Sequence, residues 1–178
     1  AFLNRLPEPN DDMPQEVQAR LARVAHQVRS HIAKQAVEAT RLTLDVKDAP
    51  LKEVLESITK QTGNEVTDYR EQFGQEAMEK KVTLKVDDVP FWSGLDKLLD
   101  AVQMQPYAFS GEETLALVER EQGVLRRSGR GAVYSGPFRI EAMSVTAQRG
   151  LRSPDQSSLS LDLEIAWEPR LKPIALTQ

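Results

Sequence analysis

The chain contains no cysteine. Structural disulfides, thiolate zinc sites and cysteine nucleophiles are excluded together. Its two histidines, His26 and His31, stand five apart in a helical stretch, whereas a metal-binding pair on one helical face stands three or four apart. There is no HExxH, no glycine-rich phosphate loop ending in Lys-Ser or Lys-Thr, and no Gly-x-Ser-x-Gly elbow. No apolar run approaches the ~20 residues that span a bilayer. Basic charge is not in excess: 23 Lys and Arg stand against 27 Asp and Glu, a net charge of −4. That is the wrong balance for a nucleic-acid surface, which needs a concentrated basic face. What is present is a 178-residue chain, 40% hydrophobic, enough to bury the core of one large domain or two small ones.

The chain repeats itself forty residues on. Leu42-Thr-Leu-Asp-Val-Lys-Asp-Ala-Pro-Leu-Lys-Glu-Val-Leu55 returns as Val82-Thr-Leu-Lys-Val-Asp-Asp-Val-Pro-Phe-Trp-Ser-Gly-Leu95. Each copy predicts a strand, a tight turn and a helix. Leu42, Leu44 and Val46 alternate with polar residues, as do Val82, Leu84 and Val86, the pattern of a half-buried strand. Pro50 and Pro90 suit the first helical position, where a missing N–H costs nothing. Asp48 places negative charge near the positive end of the helix dipole. Leu51, Val54, Leu55 and Ile58 share one helical face; Phe91, Leu95, Leu98, Leu99 and Val102 do so in the second copy. Gly63 ends the first helix, and Glu65–Tyr69 predicts a short strand. A charged connection follows over 70–81. Gln105–Phe109 and Thr114–Val118 predict a hairpin closed near Ser110-Gly111.

Four segments result. Residues 1–40 hold a long helix, free of glycine and proline after Pro14. Val17, Leu21, Val24 and Val28 form its apolar stripe, which Ile32 continues. Residues 41–120 are the duplicated α+β domain, a small mixed sheet with two helices. Residues 121–136, rich in Gly, Ser and Arg, have the composition of a linker. Residues 137–178 carry the cleanest period-two pattern, Leu159, Leu161, Leu163, Ile165 and Trp167, facing Phe138, Ile140 and Ala142. They predict a β-hairpin whose apolar surface needs a cover, either as the start of a β-sandwich or by packing on the repeat domain.

No catalytic, metal or cofactor residue is assigned, and the sequence names no small-molecule ligand. Adjacent acids such as Asp87-Asp88 and Glu112-Glu113 point apart in a strand, and Asp96 and Asp100 are expected on a solvated helix face, not paired across a cleft. Arg126, Arg127 and Arg130 are either a solvated linker or a weak site for an anionic lipid or an acidic partner. The stripe Val17, Leu21, Val24, Val28 either packs on its own domain or docks a partner. Trp92 either lids its own core or anchors a partner from the rim.

Read together, the two units resemble the secretin and TonB short N-terminal domain. The likeness covers about Arg41 to Arg120. It rests on Asp-Ala-Pro-Leu before Val54-Leu55, Gln61-Thr62-Gly63, Val82-Thr-Leu-Lys-Val86, Gly94-Leu95-Asp96-Lys97-Leu98-Leu99, Tyr107-Ala-Phe and Leu115-Ala-Leu-Val118. The Glu71–Lys81 connection is longer than that family's. Over its whole length, through Tyr134-Ser-Gly-Pro-Phe-Arg-Ile140 and Glu164-Ile-Ala-Trp-Glu-Pro-Arg-Leu171, the chain is similar to a family of secreted planctomycete-type proteins with no assigned activity. The resemblance implies a periplasmic or otherwise extracytoplasmic, non-enzymatic module that binds a protein partner or another copy of itself. The rivals are a non-catalytic N-terminal part of a larger secreted hydrolase or carbohydrate-active protein, and a structural spacer.

Overall fold

Forty-residue repetition in the sequence becomes two-fold pseudo-symmetry in space. The computed structural model describes residues 13–107, 114–123, 131–152 and 157–171, with the backbone alone for 29 and 31–36. Residues 1–38 form one unit and 39–178 another. The first holds helix α1, Gln15–Ala36. The Pro14 carbonyl accepts the first N–H groups, from Val17 and Gln18. Along α1, Leu21 and Val28 are half-buried, and Val17 and Val24 are 42% and 43% exposed.

The second unit is α+β. Its elements are β1 (Arg41–Pro50), α2 (Leu51–Thr62), β2 (Val66–Asp68), β3 (Lys81–Pro90), α3 (Phe91–Val102), β4 (Met104–Tyr107), β5 (Leu115–Glu119), β6 (Ala132–Ser135), β7 (Phe138–Arg149) and β8 (Ser157–Trp167). Among the described residues strands β1 and β3 form a two-stranded antiparallel sheet of their own. The mixed sheet is a separate one, β2-β5-β4, with β5 parallel to β2 and antiparallel to β4. The third sheet is β6-β7-β8, antiparallel throughout. Strand β6 therefore occupies the end of the 121–136 stretch whose composition suggested only a linker.

The β1–β3 register reproduces itself when the repeats are exchanged. Arg41 faces Pro90 as Lys81 faces Pro50; Leu44 faces Val86 as Leu84 faces Val46; the pseudo-dyad passes between Asp45 and Lys85. The recurring threonines and aspartates serve the sister strand. Asp48 and Asp88 sit at φ 54° and 45°, a left-handed conformation that costs most side chains but suits Asp and Asn. Their N–H groups donate to Thr83 Oγ1 at 3.0 Å and Thr43 Oγ1 at 2.9 Å. Their carboxylates accept from Lys81 and Arg41. Asp48 is thus spent on the opposite strand, and no side chain caps α2. The helix starts are fed across the dyad instead: Leu51 N–H donates to the Lys80 carbonyl at 2.8 Å, and Phe91 N–H to the Thr40 carbonyl at 2.9 Å. Both helices end in a left-handed residue, Gly63 and Gln103.

Leu42, Leu44, Val82 and Val86 from the strands join Val54, Leu55, Ile58, Phe91, Leu95 and Leu98 from the helices in one buried cluster. Each such side chain is worth about 1.5–3 kcal/mol of transfer free energy. Gly94 stands where the first copy has Val54. A Cβ there would lie 2.7 Å from Leu42 Cδ2 and 3.1 Å from Val89 Cγ2, so α3 lies closer on the ladder than a side chain at that position allows.

Candidate functional site

The dyad-related outer faces of the two helices have opposite fates. On α3, Trp92 and Asp96 are buried by the base of the third sheet. The Trp92 indole N–H donates to the Pro137 carbonyl at 3.0 Å. Asp96 Oδ2 accepts from Arg139 Nε at 2.8 Å and from the Tyr134 hydroxyl at 2.8 Å. Arg139 also pairs with Glu141 at 2.7 Å. Glu168, just past β8, is fully buried. It accepts from Thr40 N–H and Oγ1, both at 2.9 Å, from Asn64 Nδ2 at 3.2 Å and from Arg170 Nε at 2.6 Å. Buried charges need such compensation. Burial, then the hydrogen bond to Asp96, pushes the Tyr134 phenol well above the ordinary tyrosine range. These carboxylates are committed to holding the sheet in place.

On α2 the equivalent residues, Lys52 and Glu56, are exposed and line an open groove of about 860 Å³. Its apolar floor is Leu51, Leu55 and Val66; Asp68, Arg70 and Lys80 stand on its rim. Arg70 is nearly buried and forked onto Asp68, and Lys80 bonds the Val102 carbonyl at 2.7 Å and Glu119 at 2.9 Å.

The third sheet presents the least protected surface. Residues directly opposite each other share a face. On one face those pairs are Phe138–Trp167, Ile140–Ile165, Ala142–Leu163, Val145–Leu161 and Ala147–Leu159. A bulge between Ala142 and Ser144 shifts the apolar positions of β7 from even to odd numbers, so the ladder stays on one side. The other face is polar along the hairpin: Ser144 hydrogen-bonds Asp162, Thr146 faces Ser160 and Gln148 faces Ser158. At its base that polar side carries Arg139 and Tyr134 onto α3. The side facing the body is thus the polar one, and the apolar side stays open. Leu159 is 74% exposed, Val145 65% and Leu161 53%. Among the described residues strand β8 is also an edge, paired to β7 on one side.

Of the candidate contact residues, Val17, Leu21, Val24 and Val28 keep a partly exposed stripe. Trp92 does not stand at a rim: it is 2% exposed and fixes the third sheet to α3. Of the two acids expected to be solvated, Asp96 is buried and Asp100 is half-buried. The third sheet covers Asp96, and Arg120 reaches Asp100 at 2.6 Å. His26 is exposed. The side chains of His31 and Ile32, the Ser110-Gly111 turn, Glu112-Glu113 and the Arg126, Arg127, Arg130 cluster lie outside the described residues. Among the described residues no three His, Cys, Asp or Glu side chains converge on a metal position, and no helix is long and apolar enough to cross a membrane. Arg139, Tyr134 and Glu168 escaped the sequence reading. No local signal set Arg139 apart: it takes a polar position in the Phe138, Ile140, Ala142 alternation, where a solvent-facing charge is the ordinary expectation.

Comparison with protein-family models, curated proteins and solved structures finds no match to this chain.

Proposed function

We propose that the chain is a non-enzymatic protein–protein interaction module of the bacterial cell envelope, working in the periplasm or outside the cell. The observation that carries this reading is the apolar ladder of β7 and β8, open to water along its length. Monomeric soluble proteins rarely leave a contiguous apolar patch beyond a few hundred Å², and larger ones mark interaction surfaces. The buried ion pairs at the sheet's base support the same reading. They fix the orientation of a surface whose far side meets nothing among the described residues of the 39–178 unit. The resemblance of residues 41–120 to the secretin and TonB short N-terminal domain is a second support, since those domains bind proteins and carry no chemistry.

A photo-crosslinking amino acid at Leu161, compared with one at Ser160 on the polar face, tests the reading in the native cell. Protein adducts from position 161 and few from position 160 are expected. Equal yields from the two faces, or none from either, contradict it.

A further inference from the structure

Resting on that reading, we infer that the occupant of the open face is the same face of a second copy of this chain. The two close as an isologous pair into a six-stranded sandwich. Three features of the ladder point to a copy of itself.

The first is charge. Among the described residues the apolar face carries one charged side chain, Arg149, at its tip opposite Ser157. The acids of the hairpin, Glu141, Asp162 and Glu164, alternate to the polar side. Two such faces meet without burying like charges against each other, the usual obstacle to a self-complementary contact.

The second is area. Weighted by their exposures, the open side chains present on the order of 800 Å², about the share one partner gives to an interface of standard size.

The third is shape. The ladder tapers along β7, from Phe138 and Ile140 at the base to Ala142, Val145 and Ala147 toward the tip. A two-fold axis lying between the faces and across the strands sets the bulky Phe138–Trp167 end of one copy over the small Ala147 end of the other. Along β7 large residues then oppose small ones, which lets the two layers close, while along β8 Trp167 meets Leu159 and Ile165 meets Leu161 in the apolar interior. The same axis places each free tip beside the other copy's anchored base.

Sedimentation equilibrium on the intact chain measures this directly. The expected result is twice the chain mass at micromolar concentration. Leu161→Glu with Leu163→Glu should weaken association by at least about 100-fold while circular dichroism of the body is unchanged. Should that variant misfold, a second arm decides: in a chain without cysteine, Leu163→Cys near the axis should give a covalent dimer on oxidation, and Ser160→Cys on the polar face should not. A wild type that is monomeric at ~100 μM, a dimer indifferent to both glutamates, or equal crosslinking from positions 160 and 163 overturns the inference. A monomer whose Leu161 photo-crosslinker captures proteins of other mass overturns the second copy and leaves the interaction face standing. A monomer whose Leu161 captures nothing overturns both.

Discussion

Asp96 takes a cation and a phenol in a place no water reaches, and it holds the third sheet onto α3 through them. Removing one partner of a buried pair leaves an uncompensated charge, which costs about 3–5 kcal/mol. Asp96→Ala should therefore destabilise the protein by about that amount in urea unfolding. Asp96→Leu combined with Arg139→Met should recover most of the loss, because neither charge is then stranded. Tyr134 adds a pH signature. Its folded pKa is raised, so its contribution is fully present below the unfolded value of about 10 and is lost as pH climbs toward the folded one. A titration at 295 nm should show a tyrosine ionising late, at the pH where melting temperature falls. Tyr134→Phe should abolish that late step. At Gly94, alanine drives a methyl into Leu42, and a cost of about 1–2 kcal/mol is expected in the same urea assay. None of these roles was visible locally. Asp96 and Glu56 occupy equivalent helix positions, one buried and one exposed, and the difference is made by Arg139, 43 residues further along the chain.

Strand and helix elements were far more legible, because a repeat states the same local rule twice. Asp48 and Asp88, Pro50 and Pro90 recurred at the turn between strand and helix, and Thr43 and Thr83 near the start of each strand. The structure gives the reason the threonines and aspartates recur: each satisfies a backbone or charged group in the sister strand. Thr43→Val and Thr83→Val should accordingly cost similar amounts, about 0.5–1.5 kcal/mol each, as hydrogen-bonding hydroxyls do. Differential scanning calorimetry on the two variants checks the symmetry; a large cost at one site and none at the other contradicts it. Pairing was the less legible part. Period-two patterns predict strands but not their neighbours, so the sequence suggested one small mixed sheet where the repeat strands pair only with each other. Strand β6 was hidden because Ala132-Val-Tyr-Ser135 is short and set among glycines. The β7 bulge showed only as a change of apolar parity between Ala142 and Val145.

At the scale of the molecule, a sealed core sits beside an open apolar sheet. The repeat domain buries its hydrophobic residues and satisfies its turns across a pseudo-dyad. The third sheet spends its polar side on the body and leaves its apolar side outward. The sequence carried this warning in the alternation of Leu159 to Trp167. It did not say which face the body would take, since that depends on Arg139 and Tyr134 finding Asp96. The two tryptophans report the two sides: Trp92 sits under the sheet, and Trp167 stands on the open face, 39% exposed. The most direct measurement is ¹⁹F NMR of the intact protein labelled with 5-fluorotryptophan, followed from low to high micromolar concentration. The Trp167 resonance should move or broaden as its face is covered while the Trp92 resonance stays fixed, and Leu161→Glu should hold both still. Two resonances unchanged across the range in the wild type would contradict closure of this face by a second copy.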